Sequence, residues 1–280
     1  MNSSAGTFKH GRLELFHRVW GSGPHVLIAF HGYGRTHADF EEFVKPWSHI
    51  FTVYAFDLPF HGRSKVLLEF ADKQPLEPSE LGDYFKSFLH YLGAGETRLL
   101  GYSIGGRVAL KLTEELPDKI KGLYLFAPDG LKPNPGYVFL SETTLGRWVF
   151  RALSRHHAVF FRLMDLALRI NWVDRKTHGF ITSQVATGAR RKLVYDTWTF
   201  LRKIKPNRRN LLRTAKEHDI TLDFFFGRYD KIIPVKNASA WVAPVSEVRL
   251  NVLETGHAML TFSVANRVLE ENRLQMPVPT

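Results

Sequence analysis

Gly101-Tyr102-Ser103-Ile104-Gly105 sets a single hydroxyl between two glycines in a Gly-x-Ser-x-Gly spacing. The apolar pair Leu99-Leu100 before it reads as the end of a buried strand, and a helical pattern starts at Ile104, so Ser103 falls on a strand-to-helix turn. A Cβ at either flanking position would collide with neighbouring backbone, which accounts for the glycines, and the sharp turn leaves the Ser103 hydroxyl exposed. An alcohol is barely nucleophilic at neutral pH, so a reactive serine needs a base to take its proton and a carboxylate to orient that base. Asp230 and His257 close the apolar runs LDFFFGRYD and EVRLNVLETG, in the chain order Ser, Asp, His. Asp129, ending GLYLFAPDG one strand earlier, is an alternative acid. No lysine follows the glycines as a phosphate-binding G-x-x-x-x-G-K-[ST] loop requires.

Elements distant in sequence must bring these groups together. Six near-continuous apolar runs (25–34, 52–59, 98–103, 122–130, 222–230 and 247–256) read as strands buried on both faces. Helical patterns lie between or after them: Ala38 to Trp47, Leu81 to Leu92, Ile104 to Leu116, Val235 to Trp241 and His257 to Asn272. This alternation predicts an α/β fold with a doubly wound, mostly parallel sheet, and residues 12–23 predict an antiparallel strand entering it. In such sheets reactive groups gather at the carboxyl ends of the strands. His31 and His61, in HGYG and DLPFHGRS, are expected to be structural, hydrogen-bonded within their loops.

With 280 residues, 44% of them hydrophobic, the chain can bury a large core. It has no cysteine, which removes disulfides, thiolate metal sites and cysteine nucleophiles together. The first residues lack the apolar stretch of a signal peptide and no later run has the length of a membrane span, so a cytoplasmic protein is expected. The net charge of +11 is uneven. Residues 131–213 carry 17 Lys and Arg against 4 Asp and Glu, or +13, leaving −2 for the remainder. Here strand-helix alternation stops. The expected organisation is a core of 1–130 and 214–280 with a helical cap at 131–213. Its segment GRWVFRALSRHHAVFFRLMDLALRI (146–170) reads as lid helices burying an apolar face with arginines in water, or as an acyl channel whose basic rim suits an anionic amphiphile or membrane surface. Nucleic acid is not an expected partner, because the basic residues are interleaved with apolar ones and no reader motif is present.

HGYG, DLPFHGRS, GYSIGG, GRYDKIIP and TGH, in this order, make the chain resemble the α/β-hydrolase fold superfamily from about Leu13 to the C-terminal helix. The resemblance implies an eight-stranded sheet, a nucleophile at Ser103, a base at His257 and an orienting acid at Asp230. It also implies an oxyanion hole from the backbone N–H groups of Tyr33 and Ile104, a lid at 131–213, and chemistry without metal or organic cofactor. Serine rather than aspartate at position 103 argues against the haloalkane dehalogenase and epoxide hydrolase branches. The expected reaction is hydrolysis of a small-molecule carboxylic ester, with a hydrophobic acyl chain, through an acyl-serine. Carbon–carbon bond hydrolysis and a menaquinone-pathway-type lyase reaction resemble this triad pattern too, and a ligand-binding sensor that keeps the triad without turnover is the reading from another class. Arg63, Tyr102 and Trp148 are candidate substrate contacts.

Overall fold

The computed structural model describes residues 3–67, 73–132, 134–171, 175–238, 241 and 246–271. Its strands are β1 (Ser3–His10), β2 (Leu13–Trp20), β3 (His25–Phe30), β4 (Phe51–Phe56), β5 (Lys65–Val66), β6 (Thr97–Tyr102), β7 (Ile120–Phe126), β8 (Thr221–Gly227) and β9 (Val248–Leu253). Eight of them form one sheet in the order β1-β2-β4-β3-β6-β7-β8-β9, and the two-residue β5 adds to β2. From β4 to β9 every pairing is parallel, while β2 runs antiparallel to β1, β4 and β5. The six apolar runs are all strands. β1 has no counterpart in the sequence analysis: it is an edge strand, exposed on almost every residue, so no apolar alternation marks it.

The helices are α1 (Phe40–Phe43), α2 (Pro78–Tyr91), α3 (Ile104–Glu115), α4 (Pro135–Glu142), α5 (Thr144–Arg155), α6 (His157–Arg169), α7 (Arg175–Gln184), α8 (Gly188–Phe200), α9 (Arg208–Glu217) and α10 (Phe262–Glu270). Three expected helices fall short of what their periodicity indicates. Over 38–47 the chain forms one α-turn between two 3-10 turns, His37–Asp39 and Lys45–Trp47, with Pro46 unable to donate to a continuing helix. Its apolar spacing is nevertheless used, because Phe40, Phe43, Val44 and Trp47 are fully buried. At the C-terminus, residues 257–261 stay non-helical until the Thr261 hydroxyl caps α10 by accepting from the Val264 N–H at 3.3 Å; Asn272 lies outside the described residues. Of the helix expected over 235–241, only a 3-10 turn at Val235–Asn237 forms, and residues 239 and 240 lie outside the described residues.

The chain divides into two compact units. The larger holds the sheet and spans 1–67, 77–132 and 204–280; the smaller is 133–203 with 68–76. The expected boundary at 213 is therefore corrected to 203. The cause is α9, which buries Leu211 and Ala215 in the larger unit, and whose N-cap Asn207 donates its N–H to Glu114 Oε1 at 2.6 Å, at the end of α3. The smaller unit is all helical among its described residues. Phe150 of α5 packs on Tyr195 and Trp198 of α8, with ring centroids 5.2 and 5.6 Å apart, and Asn134, Thr143 and Thr187 cap α4, α5 and α8. The Leu76 N–H donates to the Phe200 carbonyl at 2.8 Å, which ties the preceding loop to this unit. Among the described residues no helix is long and apolar enough to cross a membrane.

The core carries an acid-sensitive element. His17 on β2 is buried between the rings of Tyr54, Phe56 and Phe88, and burial pushes its pKa from 6.5 down to about 4. Unfolded, the same imidazole titrates near its ordinary value, so between pH 6.5 and about 4 the unfolded chain binds more protons than the folded one. Stability is then lost as the pH falls through this window. The midpoint of thermal unfolding should drop across it, and His17→Leu should flatten part of the slope; a midpoint independent of pH in both proteins contradicts the assignment.

Candidate active site

Ser103 joins β6 to α3 with φ 53° and ψ −119°, a left-handed backbone that non-glycine residues rarely adopt. Three backbone bonds hold the turn. The Ser103 N–H donates to the Phe126 carbonyl at 3.0 Å, and the Ser103 carbonyl accepts from the N–H groups of Gly106 and Asp129, each at 2.9 Å. The flanking glycines are needed for clearance. A Cβ on Gly105 would lie 2.1 Å from the Phe30 carbonyl oxygen, and one on Gly101 would lie 2.6 Å from Gly106 Cα. Gly105→Ala should therefore destabilise the fold by about 3 kcal/mol, at the severe end of overpacking, because backbone rather than a flexible side chain obstructs it. Gly95→Ala, where a Cβ meets nothing within 4 Å, is the matched control in thermal denaturation. Equal midpoints for the two variants contradict the clearance argument.

The loop after β9 brings His257 to this turn. The Tyr102 hydroxyl donates to the His257 carbonyl at 3.0 Å, and the phenol and imidazole centroids are 5.3 Å apart. Burial pushes the Tyr102 pKa up to about 12, so the phenol stays a donor. His257 Nδ1 lies 2.7 Å from Asp230 Oδ2. Asp230, in the loop after β8, is buried, and its other oxygen accepts from the N–H groups of Ile232 and Ile233 at 2.8 and 2.9 Å. The carboxylate thus caps its own turn and orients the imidazole at once. A hydrogen bond to carboxylate places the proton on Nδ1 and leaves the Nε2 lone pair as the basic site. The alternative acid is engaged elsewhere: Asp129 pairs with the Arg107 guanidinium and accepts from the Gly130 N–H at 2.7 Å.

Two histidines cross-brace the loop that carries Tyr33. His31 Nδ1 lies 2.7 Å from the Gly32 carbonyl and its Nε2 accepts the Leu58 N–H at 2.9 Å. His61 Nδ1 lies 2.9 Å from the Pro59 carbonyl and its Nε2 accepts the Gly34 N–H at 3.0 Å. These partners require neutral Nδ1–H tautomers in both. Burial lowers both pKa values, with the neighbouring imidazole lowering His31 further. Asp57, fully buried, gathers the same loops by accepting from the His37 and Arg63 N–H groups at 2.8 and 2.9 Å. The expected structural role of His31 and His61 is what their contacts describe, although each bonds across to the other loop as well as within its own.

Gly32 runs beside the turn, where a Cβ would be 3.5 Å from Ser103 Cβ, and this places the Tyr33 segment next to Ser103. Ile104 is the first residue of α3, so its N–H has no intrahelical carbonyl and is placed to donate outward. Arg63 is exposed, and its guanidinium stands 4.2 Å from the centroid of the Phe16 ring. Trp148 is on α5 in the smaller unit and is 69% exposed. Tyr102, an expected substrate contact, holds the His257 backbone. That positioning role, and the one of Asp57, went unread in the sequence, although both residues sit at strand ends within the quoted motifs. Among the described residues no group of three His, Asp or Glu side chains is placed to hold a metal ion.

Comparison with known proteins bears on the fold and the family. In sequence the chain is 25% identical over 232 residues to a pimeloyl-[acyl-carrier protein] methyl ester esterase of Wigglesworthia glossinidia brevipalpis, covering 79% of this chain and 81% of that one. It is 27% identical over 119 residues to a dihydrolipoyllysine-residue acetyltransferase component of the acetoin cleaving system from Cupriavidus necator, a match over 42% of this chain that spans only 30% of that relative's length. In structure it is similar to a thermophilic esterase from Thermogutta terrifontis, with a TM-score of 0.67, 18% identity and 93% of each chain covered. A family model described as alpha/beta hydrolase fold matches residues 25–262, and the chain therefore belongs to the α/β-hydrolase fold family.

Proposed function

We propose that this chain is a serine hydrolase that cleaves a carboxylic ester through an acyl-serine intermediate, with Ser103, His257 and Asp230 as its triad. Membership of the α/β-hydrolase fold family indicates hydrolase activity; the ester and the roles of individual residues are our reading. One observation carries it: the 2.7 Å bond from His257 to a buried Asp230, beside a serine held on a left-handed, glycine-cleared turn.

In the mechanism, Ser103 Oγ attacks the ester carbonyl carbon while His257 Nε2 takes its proton. The carbonyl electron pair moves onto oxygen, and the N–H groups of Ile104 and Tyr33 receive that charge, each such donor contributing about 3 kcal/mol to the transition state. Collapse expels the alcohol, which His257 protonates. Water, deprotonated by the same imidazole, then releases the acid and regenerates the serine. Asp230 stabilises the imidazolium in both halves. The aromatic and aliphatic content of residues 146–170 argues for a hydrophobic acyl group.

Fluorophosphonate labelling and a series of p-nitrophenyl esters of graded acyl length test this reading. Stoichiometric labelling of the native chain, absent in Ser103→Ala, is expected together with faster turnover of longer acyl groups. A folded protein that neither labels nor hydrolyses any of the esters overturns the proposal and favours the sensor.

A further inference from the structure

Large hydrophobic side chains are not evenly distributed over the exposed surface. Of eleven that are exposed among the described residues, six fall between 139 and 170: Phe139, Leu145, Trp148, Val159, Leu166 and Ile170, with exposures of 44 to 69%. On α6 and its C-cap, Val159, Leu166 and Ile170 stand at i, i+7 and i+11, which superposes them on one line of the helix. Arg162 and Arg169 are exposed along the flank of that line. On α5, Leu145 and Trp148 share a face at i and i+3, away from the buried Gly146 and Phe150, and the exposed Arg155 lies seven residues beyond Trp148. Five arginines and two acids occur over 139–170, inside a segment whose net charge is +13.

A solvated helix shows water its polar side, whereas here the outward faces are largely apolar with guanidinium groups along their edges, and the one exposed acid on α6, Asp165, lies 3.1 Å from His178 Nε2. That arrangement matches a helix lying in the plane of a lipid interface, where side chains such as Trp148 and Leu166 enter the acyl boundary and arginines meet phosphate. Charge complementarity selects anionic over zwitterionic lipid. We infer that the exposed faces of α5 and α6 form a docking surface for an anionic lipid bilayer. This inference is independent of the proposed hydrolysis, since it uses none of the triad.

Cosedimentation with vesicles of phosphatidylcholine, alone or mixed with phosphatidylglycerol, tests it on the full chain. Binding to the mixed vesicles and little to the neutral ones is expected, with release at high salt. Arg162→Glu with Arg169→Glu should lower the partition coefficient at least about 30-fold, each lost cation being worth about fivefold near an anionic surface. Leu166→Ser with Ile170→Ser should lower it about tenfold through lost apolar insertion. Both pairs are exposed, so circular dichroism and the midpoint of thermal unfolding should be unchanged and report folding separately. Equal sedimentation with neutral and anionic vesicles, no sedimentation, or undiminished binding by the variants overturns the inference. Concentration-dependent self-association that Leu166→Ser with Ile170→Ser abolishes, without vesicle binding, assigns the face to a second copy of this chain and overturns it equally.

Discussion

Ser103→Ala is expected to lower kcat/KM for a p-nitrophenyl ester by about a millionfold while leaving the fold intact. Without the hydroxyl no acyl-enzyme forms, and residual turnover must come from water attacking a carbonyl still polarised by the oxyanion donors. Stability responds differently from activity. The backbone at position 103 has φ 53°, and alanine keeps that strain because it keeps the Cβ. Ser103→Gly removes it, and even after the greater freedom of glycine in the unfolded chain is subtracted it should stabilise the protein by about 1 kcal/mol. An inactive variant more stable than the native chain is thus the signature of strain held for reactivity. Kinetics and denaturant unfolding on both variants check it. Retained hydrolysis in Ser103→Ala would remove the serine from the chemistry, and a Ser103→Gly protein less stable than Ser103→Ala would remove the strain argument.

Asp230→Asn should cost about 10⁴-fold in kcat/KM, for a reason visible in its hydrogen bonds. The Ile232 and Ile233 N–H groups both point at Oδ1, so an asparagine must keep its carbonyl oxygen there and turn its NH2 toward His257. His257 Nδ1 then has to accept rather than donate. The imidazole proton moves to Nε2, the atom that has to take the proton of Ser103, and the base is lost without any loss of packing. Asp129→Asn is the internal comparison. Its carboxylate serves Arg107 and the Gly130 N–H, so its loss should change turnover by no more than about threefold beyond any effect on stability. Comparable losses of kcat/KM in the two variants contradict the assignment of the acid.

The site was readable in sequence wherever its cause is local. The glycine spacing around Ser103 is a local pattern, although the atoms it clears are not all near in sequence: a Cβ on Gly101 would lie 2.6 Å from Gly106 Cα, one on Gly105 2.1 Å from the Phe30 carbonyl oxygen, and one on Gly106 2.5 Å from Pro128 Cβ. Where several equivalent groups end neighbouring strands, local pattern offers no choice between them. Asp129 and Asp230 both follow apolar runs, and only the path of the loop after β9 brings His257 to one of them. The same holds for His31 and His61, whose N–H donors in the opposite loop are in reach only once β3 and β4 lie side by side. Likewise only the fold sets the exposed Arg63 guanidinium over the Phe16 ring.

By itself the amino-acid sequence determined the strand and helix alternation, the parallel core and the strand-to-helix turn that carries Ser103, because continuous apolar runs and the glycine spacing are patterns of a few residues. Tertiary structure alone decided the edge strand β1, the breaking of 38–47 into separate turns, the attachment of α9 to the sheet unit, and which acid meets His257. These depend on what a segment packs against, and backbone N–H groups, carbonyls and neighbouring rings contributed from far along the chain leave no pattern in the residues they contact.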